Sequence, residues 1–362
     1  MAGSGTLRWR MAVLATASAS VVACGSASDS PTANDPLTPT PCRTGVLISG
    51  YRARSETAPA AAFLFRDGRP QSLPLPLDAA DPVSAALRTT GVVGTCSDVY
   101  VSGDYAFADP WARDAPAGFW RNGVWTPLTE AGVSAAQTAG MALSAGEVFV
   151  GGSVGGQEVF WKNGIITRLP RDPVLFNNHA SGIALSGQDV YVTSLYSSGS
   201  PSYVKNLERV DLPLPTKFGG AHIRAIALSG TDVYIAGIGY PRDDPAARAV
   251  MYWTNGVRTD LAEARSSYLG VLDIEVAGGD VYVAGYHPLD STHSTGCYWK
   301  NGQRIDVPSL VAVSRIAVRG RDVHLIGNAP AANGGRPTYI LNGAETVLMD
   351  DPRVRVSGLY VE

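Results

Sequence analysis

The sequence predicts an all-β fold: a seven-bladed β-propeller of four-stranded antiparallel blades, closed by the C-terminal strand. Two recurring motifs and the turn between their strands predict it. The first motif is Ile183-Ala-Leu-Ser-Gly-Gln-Asp-Val-Tyr-Val192. It returns at Ile226–Ile235, at Ile274–Val283 and at Ile316–Leu325. The second follows each copy at variable distance: Phe119-Trp-Arg-Asn-Gly123, Phe160-Trp-Lys-Asn-Gly164, Tyr252-Trp-Thr-Asn-Gly256 and Tyr298-Trp-Lys-Asn-Gly302. Degenerate copies at Leu64–Gly68, Tyr203–Leu207 and Tyr339–Gly343 bring the count to seven.

Each unit reads as four strands, A to D. Strand A is the Ile-Ala-Leu type, B the Val-Tyr-Val type, C the Tyr-Trp-Lys type and D the segment after Asn-Gly. Their β-branched and aromatic residues favour a pleated, half-buried surface. Asn-Gly marks a type I′ hairpin, because both central residues need positive φ. The first unit opens at Thr44-Gly-Val-Leu-Ile-Ser-Gly50, which matches strand B and lacks a strand A. The last residues, Val354-Arg-Val-Ser-Gly-Leu-Tyr-Val-Glu362, match the missing strand, so the chain's end is expected to complete blade 1.

Two repeated residue types carry a structural and a functional reading. The aromatic at Trp120, Trp161, Trp253 and Trp299, with Phe65, Val204 and Ile340 in the same place, is expected to pack between blades opposite small residues such as Ala142, Ala184 and Ala227, rather than to stack a ligand. The acid at Glu147, Asp189, Asp232, Asp280 and Asp322 is expected to bond turn backbone N–H groups rather than a metal.

The N-terminus points to export. Arg8 and Arg10 precede an apolar run, Met11 to Ala23, that is too short to span a bilayer. It ends in Val21-Val22-Ala23-Cys24-Gly25, which resembles a lipobox. That resemblance implies cleavage before Cys24 and a lipid on its thiol, hence a stable membrane anchor. The expected organisation is therefore residues 1–23 a lipoprotein signal peptide, 24–42 a disordered tether rich in Ser, Thr and Pro, and 43–362 the propeller. Its place would be the extracytoplasmic side of the cell envelope, on the outer membrane in an organism that has one. Export permits disulfides, and Cys42 and Cys96 occupy near-equivalent places in consecutive repeats, so a bridge between them is expected. Cys297 falls inside a strand and is expected to be a buried thiol.

The strings Ala62-Phe-Leu-Phe-Arg-Asp-Gly68 and Phe119-Trp-Arg-Asn-Gly-Val-Trp-Thr-Pro-Leu128 resemble the HAF family of probable extracellular repeats. The similarity covers strands C and D of each blade, and the His-Ala-Phe signature itself is missing. It implies an exported propeller-like protein and supplies no catalytic residues.

Composition narrows function further. Charged residues make up 17 % of the chain and the formal net charge is −3, with no basic stripe of the kind nucleic acids require. A–B and C–D turns are short in every repeat, whereas the B–C connections Asp104–Gly118, Ile238–Val250 and Tyr286–Gly296 are long. Binding chemistry is expected on the face that carries these connections. Candidate ligand-binding residues lie before or within strand A, at the channel mouth: Arg88, His179, His222, Arg224, Asp273, Glu275, Arg315 and Arg355, with Arg353 beside them. Asp273 and Arg315 hold equivalent positions in blades 6 and 7. They form either an inter-blade ion pair or part of a patch that receives an anionic or polar ligand.

No nucleophile motif, phosphate loop or zinc helix is present. His287, Asp290 and His293 share a loop without an evident fourth ligand, so no metal and no cofactor is expected. Asp243-Asp244 and Asp350-Asp351 are adjacent acids of the sort common in loops. The sequence thus reads as a monomeric, membrane-anchored, non-enzymatic scaffold that binds an envelope protein or glycan. The alternative is a propeller hydrolase or lyase acting on extracellular carbohydrate through opposed carboxylates.

Overall fold

The computed structural model describes residues 45–52, 60–74, 85–107, 117–128, 136–171, 179–195 and 201–362. Cys24, Cys42, the signal segment and the tether lie outside them. The residues from Arg43 onward form one compact unit.

Seven separate four-stranded antiparallel sheets make the ring. Blade 1 holds β1 (Val46–Arg52), β2 (Ala61–Arg66) and β3 (Arg69–Leu73); blade 2 holds β4 (Ala85–Gly94), β5 (Val99–Phe107), β6 (Ala117–Arg121) and β7 (Val124–Pro127). Blade 3 is β8 (Ala136–Ser144), β9 (Glu147–Val154), β10 (Gln157–Lys162) and β11 (Ile165–Arg168). Blade 4 is β12 (Ala180–Ser186), β13 (Asp189–Ser194), β14 (Ser202–Lys205) and β15 (Glu208–Asp211). Blade 5 is β16 (Phe218–Ser229), β17 (Asp232–Pro241), β18 (Arg248–Thr254) and β19 (Val257–Ala264). Blade 6 is β20 (Gly270–Ala277), β21 (Asp280–Pro288), β22 (Ser294–Lys300) and β23 (Gln303–Val307). Blade 7 is β24 (Ala312–Arg319), β25 (Asp322–Asn328), β26 (Pro337–Leu341) and β27 (Ala344–Val347). The last strand, β28 (Val354–Val361), pairs with β1 and supplies the inner strand of blade 1. The ring is therefore closed as the repeats predict.

The C–D turns take the type I′ conformation that Asn-Gly demands, with Asn122 at φ 51° and Gly123 at φ 83°. Blade 4 has Leu207 where the glycine belongs, held at φ 73° and half exposed. An L residue with a bulky side chain is strained there.

The repeated acid has a different partner from the one expected. In blades 5, 6 and 7 its carboxylate accepts a bond from the turn asparagine's Nδ2, at 2.8 Å for Asp232–Asn255 and 2.7 Å for both Asp280–Asn301 and Asp322–Asn342. The asparagine Oδ1 accepts the N–H of the residue after the acid, at 2.9 Å in each of the three. The pair clasps the start of strand B to the C–D turn. A carboxylate suits it because the amide must both donate and accept. Blade 1 shows the rule by its exception. Asp67 replaces the asparagine and still accepts the Val46 N–H at 2.9 Å, but it has no N–H to give. An acid opposite it would be repelled, and Gly45 stands there instead, where a Cβ would meet the Asp67 carboxylate.

The core lies between the blades. Trp120, Trp161, Trp253 and Trp299 are fully buried, as are Phe65, Val204 and Ile340 in the equivalent places. The Trp120 indole donates to the Pro74 carbonyl at 2.7 Å and Trp253 to Pro213 at 2.9 Å, so each reaches back to the exit of the preceding blade. Strand-B glycines are among the small residues that these rings meet. A Cβ at Gly103 or Gly152 would touch the six-membered ring of Trp120 or Trp161.

Candidate functional site

The inner strands β4, β8, β12, β16, β20, β24 and β28 line one central channel, a cavity of about 320 Å³. Each of the seven carries a one-residue bulge at the same height, at Thr90, Ala139, Ser181, Arg224, Leu272, Ser314 and Ser357. A bulge re-aims the side chains around it. The residue after it is Gly91, Gly140, Gly182, Ala225 or Gly358 in five blades and Asp273 or Arg315 in the other two.

Two kinds of wall result. On blades 1 to 3 hydroxyls bond one another across the blade boundaries: Thr89 to Ser357 at 2.6 Å and Thr90 to Thr138 at 2.7 Å. On blades 5 to 7 the channel is lined by Arg224, Asp273, Glu275, Arg315 and Arg319. The Asp273 carboxylate accepts the Ile316 N–H of the next blade at 3.0 Å, satisfying a backbone donor on the open inner edge. Burial pushes its pKa up, against the pull of the Arg315 guanidinium and of backbone N–H bonds. Of the two readings of Asp273 and Arg315, the inter-blade ion pair is not made: Asp273 bonds the Ile316 N–H and Arg315 the Ser314 carbonyl. Glu275 and Arg319, nearer the other end of the same strands, make the inter-blade pair instead, at 2.8 Å. Burial also raises Glu275, and Arg319 opposes it. Arg319 further donates to the Val361 carbonyl of blade 1 at 2.9 Å, so it ties three blades together. It reads in sequence as part of an A–B turn, which hides it.

The eight candidates thus divide. Arg224, Asp273, Glu275 and Arg315 share the channel. Arg88 instead pairs at 2.8 Å with Asp104, a fully buried carboxylate on β5 that also accepts the Thr138 N–H at 2.9 Å. Asp104 reads in sequence as the start of a loop, yet it lies in the β5 ladder opposite Ala117. His179 bonds the Ser153 hydroxyl of blade 3 at 2.9 Å, and burial followed by Arg88 lowers its pKa. His222 bonds the Tyr240 hydroxyl at 2.8 Å and is pushed down to about 4 by burial, then by Arg224 and Arg248. Arg355 donates to the carbonyls of Pro352 and Val354. Arg353 pairs with Asp351 at 2.9 Å, and Arg52 reaches the same carboxylate at 3.1 Å.

The long B–C connections of blades 5 and 6 prove to be extended hairpin arms. Pairing continues from Ile238–Val250 to Gly239–Ala249 in blade 5, and from Tyr286–Gly296 to Pro288–Ser294 in blade 6. In blade 3 the same connection is a tight Gly155-Gly156 turn. A groove of about 570 Å³ runs along the arms, lined by Arg248, Arg265, Tyr268, Pro288 and Asp290 among others. The blade 6 tip is held by Asp290, whose carboxylate accepts the N–H groups of Thr292 and His293. These and the Thr292 hydroxyl bond hold it well below the usual carboxylate range. His287 turns away to Asp306 at 3.1 Å, so the three residues considered as metal ligands do not converge.

Cys297 is a free buried thiol, raised to about 12 by burial. Cys96 is disulfide-bonded, and its partner lies outside the described residues.

No family model matches the chain, and no curated protein is similar to it. Solved structures do resemble it in fold. A puromycin-hydrolyzing peptidase from Mycobacterium tuberculosis aligns over 86 % of this chain and 54 % of its own, at 14 % identity and a TM-score of 0.50. TolB from Acinetobacter baumannii covers 74 % and 64 %, at 13 % identity and 0.44. YCF48 bound to D1 peptide covers 88 % and 93 %, at 12 % identity and 0.45. At these identities the likeness extends to the β-propeller fold alone.

Proposed function

We propose that this chain is an extracytoplasmic lipoprotein, anchored through Cys24, whose propeller is a non-enzymatic, monomeric scaffold binding an envelope protein or glycan. The observation that carries the binding reading is the asymmetry of the B–C connections. Paired arms stand out on blades 5 and 6, border a groove with both charged and apolar lining, and contrast with the two-residue turn of blade 3. Loop variation on a rigid scaffold is how such folds acquire partners. The carboxylates of the channel fit this reading better than hydrolysis. Asp273 and Glu275 lie two apart on one strand, and each is bonded to blade 7 rather than opposed across a gap.

The test uses the full chain in mild detergent as bait for envelope extracts, beside a variant in which residues 289–293 are replaced by Asn-Gly. A protein or glycan retained by the wild type and lost by the variant supports the reading. Identical recovery removes the blade 6 arm from it, and recovery of nothing above a blank matrix overturns it. The anchor is tested separately. Cys24→Ser is expected to move the protein from the membrane fraction to the soluble one, and retention in the membrane counts against lipidation.

A further inference from the structure

We propose that the central channel is a binding site for a small hydroxylated carboxylate, gripped by Arg224 and Arg315. This site is separate from the arms and does not depend on their partner.

Each guanidinium carries five N–H donors in a planar fork. Arg224 uses none of them visibly. Its Nε is buried without a hydrogen-bond partner, and no carboxylate stands within ion-pair reach of it among the described residues. Arg315 donates through Nη1 to the Ser314 carbonyl at 2.8 Å and has donors to spare. Both line the same cavity, from blades 5 and 7, with Asp273 on the blade between them. The other two channel charges do not compete, because Glu275 and Arg319 neutralise each other at 2.8 Å.

A buried donor left unbonded is costly, and a charged one more so. The rest of the protein shows that this chain satisfies its inner-ring polar groups closely, as at Asp104 and Thr90. The bulge position occupied by Arg224 has no charged counterpart in any other blade. An arginine placed there and left unpaired is a donor set waiting for an acceptor from outside.

The wall selects the acceptor. The fork geometry matches a carboxylate in bidentate fashion. Asp273 beside Arg315 limits the net positive charge, which favours a monoanion over a doubly charged phosphate. The far side of the channel mixes bare backbone at glycines 91, 140, 182 and 358 with apolar residues such as Val92 and Met141. The hydroxyls of Thr90 and Ser181, already bonded to Thr138 and Thr193, keep lone pairs as acceptors. The channel's exposed surface is more polar than apolar, which suits the hydroxyls of a polyol better than an apolar tail. A volume of about 320 Å³ suits a small ligand.

The test is calorimetric titration of the full chain in mild detergent, at 0.15 M salt, with four probes: gluconate, acetate, inorganic phosphate and sorbitol. Gluconate is expected to bind most tightly, acetate and phosphate less, and sorbitol not at all. Arg224→Gln and Arg315→Gln should each weaken gluconate by about 10- to 100-fold. Glu275→Gln should leave it within about threefold. Arg224 makes no bond that the fold needs, so its variant should keep the wild-type thermal midpoint without ligand, and that control separates lost binding from lost structure. Absence of gluconate binding at millimolar concentration overturns the proposal, as does equal affinity of wild type and Arg224→Gln. Tighter phosphate than gluconate overturns the carboxylate assignment, and sorbitol binding as tightly as gluconate overturns the role of charge. None of these outcomes bears on capture by the arms, so the two readings fail independently.

Discussion

Blades 1 to 3 and blades 5 to 7 put the same bulge at the same height of their inner strands and fill it with different chemistry. In the first group the residues at and behind the bulge are hydroxyls, glycines and, in blade 3, Ala139. The hydroxyls bond across blade boundaries, with Asp104 and Arg88 closing the series. In the second group one residue of each pair is charged, Arg224, Asp273 or Arg315, and only part of the channel's charge is matched within the protein. The difference teaches that backbone geometry and side-chain function are separable in this ring. The bulge recurs in all seven inner strands while the residue occupying it changes from blade to blade.

The strongest way to break that comparison is through what both groups share. Trp120→Ala and Trp253→Ala delete equivalent indoles from the two groups, each fully buried and bonded to the preceding blade. Each should cost about 3–5 kcal/mol in denaturant-induced unfolding. Costs differing by more than about half of that range would show that the two groups are not mechanically alike.

The next effect separates them. Asp104→Ala strands a backbone N–H at a fully buried site and leaves Arg88 without its partner. A loss of about 2–4 kcal/mol is expected. Asp273→Ala also frees a backbone N–H, that of Ile316, but channel water can reach it, so about 1–2 kcal/mol is expected. Equal losses would mean that the two carboxylates are equally sealed from solvent.

A pH series sharpens the same contrast. His222 sits beside Arg224 with its folded pKa pushed down to about 4, against 6.5 for an unperturbed histidine. The unfolded chain therefore binds the extra proton first, and this residue's contribution to stability falls as pH drops from 6.5 toward 4. His222→Gln should flatten the fall of the thermal midpoint across that window. His179→Gln should flatten it too, because burial and Arg88 lower His179 in the same direction. An unchanged slope in His222→Gln would show that the imidazole is not shielded as described.

The smallest effect concerns a blade between the two groups. Leu207→Gly relieves a left-handed φ of 73° at an exposed turn. A gain of about 1 kcal/mol is expected from urea unfolding, the relief of strain outweighing glycine's added chain entropy. A loss would mean that Leu207's side-chain contacts matter more than its backbone.

The architecture was legible because its determinants are periodic. Asn-Gly fixes five of the seven C–D turns through φ, with Asp67-Gly68 and Asn206-Leu207 as variants; the Trp positions fix seven interfaces through volume, and Val354–Val361 matches the strand that blade 1 lacks. The inner bulge was not legible. Thr90, Ala139, Ser181, Arg224, Leu272, Ser314 and Ser357 share no chemistry, since a bulge is set by register against the neighbouring strand. Four channel residues were found from sequence, Asp273, Glu275 and Arg315 because charge replaces glycine or alanine in an otherwise plain repeat, and Arg224 because it stands just before strand A. Arg319 escaped because Arg-Gly at a strand end reads as a turn, and Asp104 because the ladder continues beyond the Val-Tyr-Val core. The arms of blades 5 and 6 were read as loops for the same reason: pairing past Ile238 and Tyr286 is carried by backbone bonds that leave no hydrophobic alternation.

The pairing of β28 with β1 bears on the order of events during synthesis and folding. Ser49 and Ser357 meet across it although they stand 308 residues apart in the chain. Every other blade is assembled from consecutive strands, so blades 2 to 7 can form as the chain emerges, whereas blade 1 must wait for its final strand. Until then β1 lacks its inner neighbour and its unpaired edge is a template for unwanted strand addition, while the side of blade 7 that faces blade 1 is uncovered. A contact of such sequence separation is reached slowly. A circular permutant that carries residues 353–362 ahead of residue 44 would make blade 1 contiguous and should refold faster, moving the slow closing step to wherever the new ends lie.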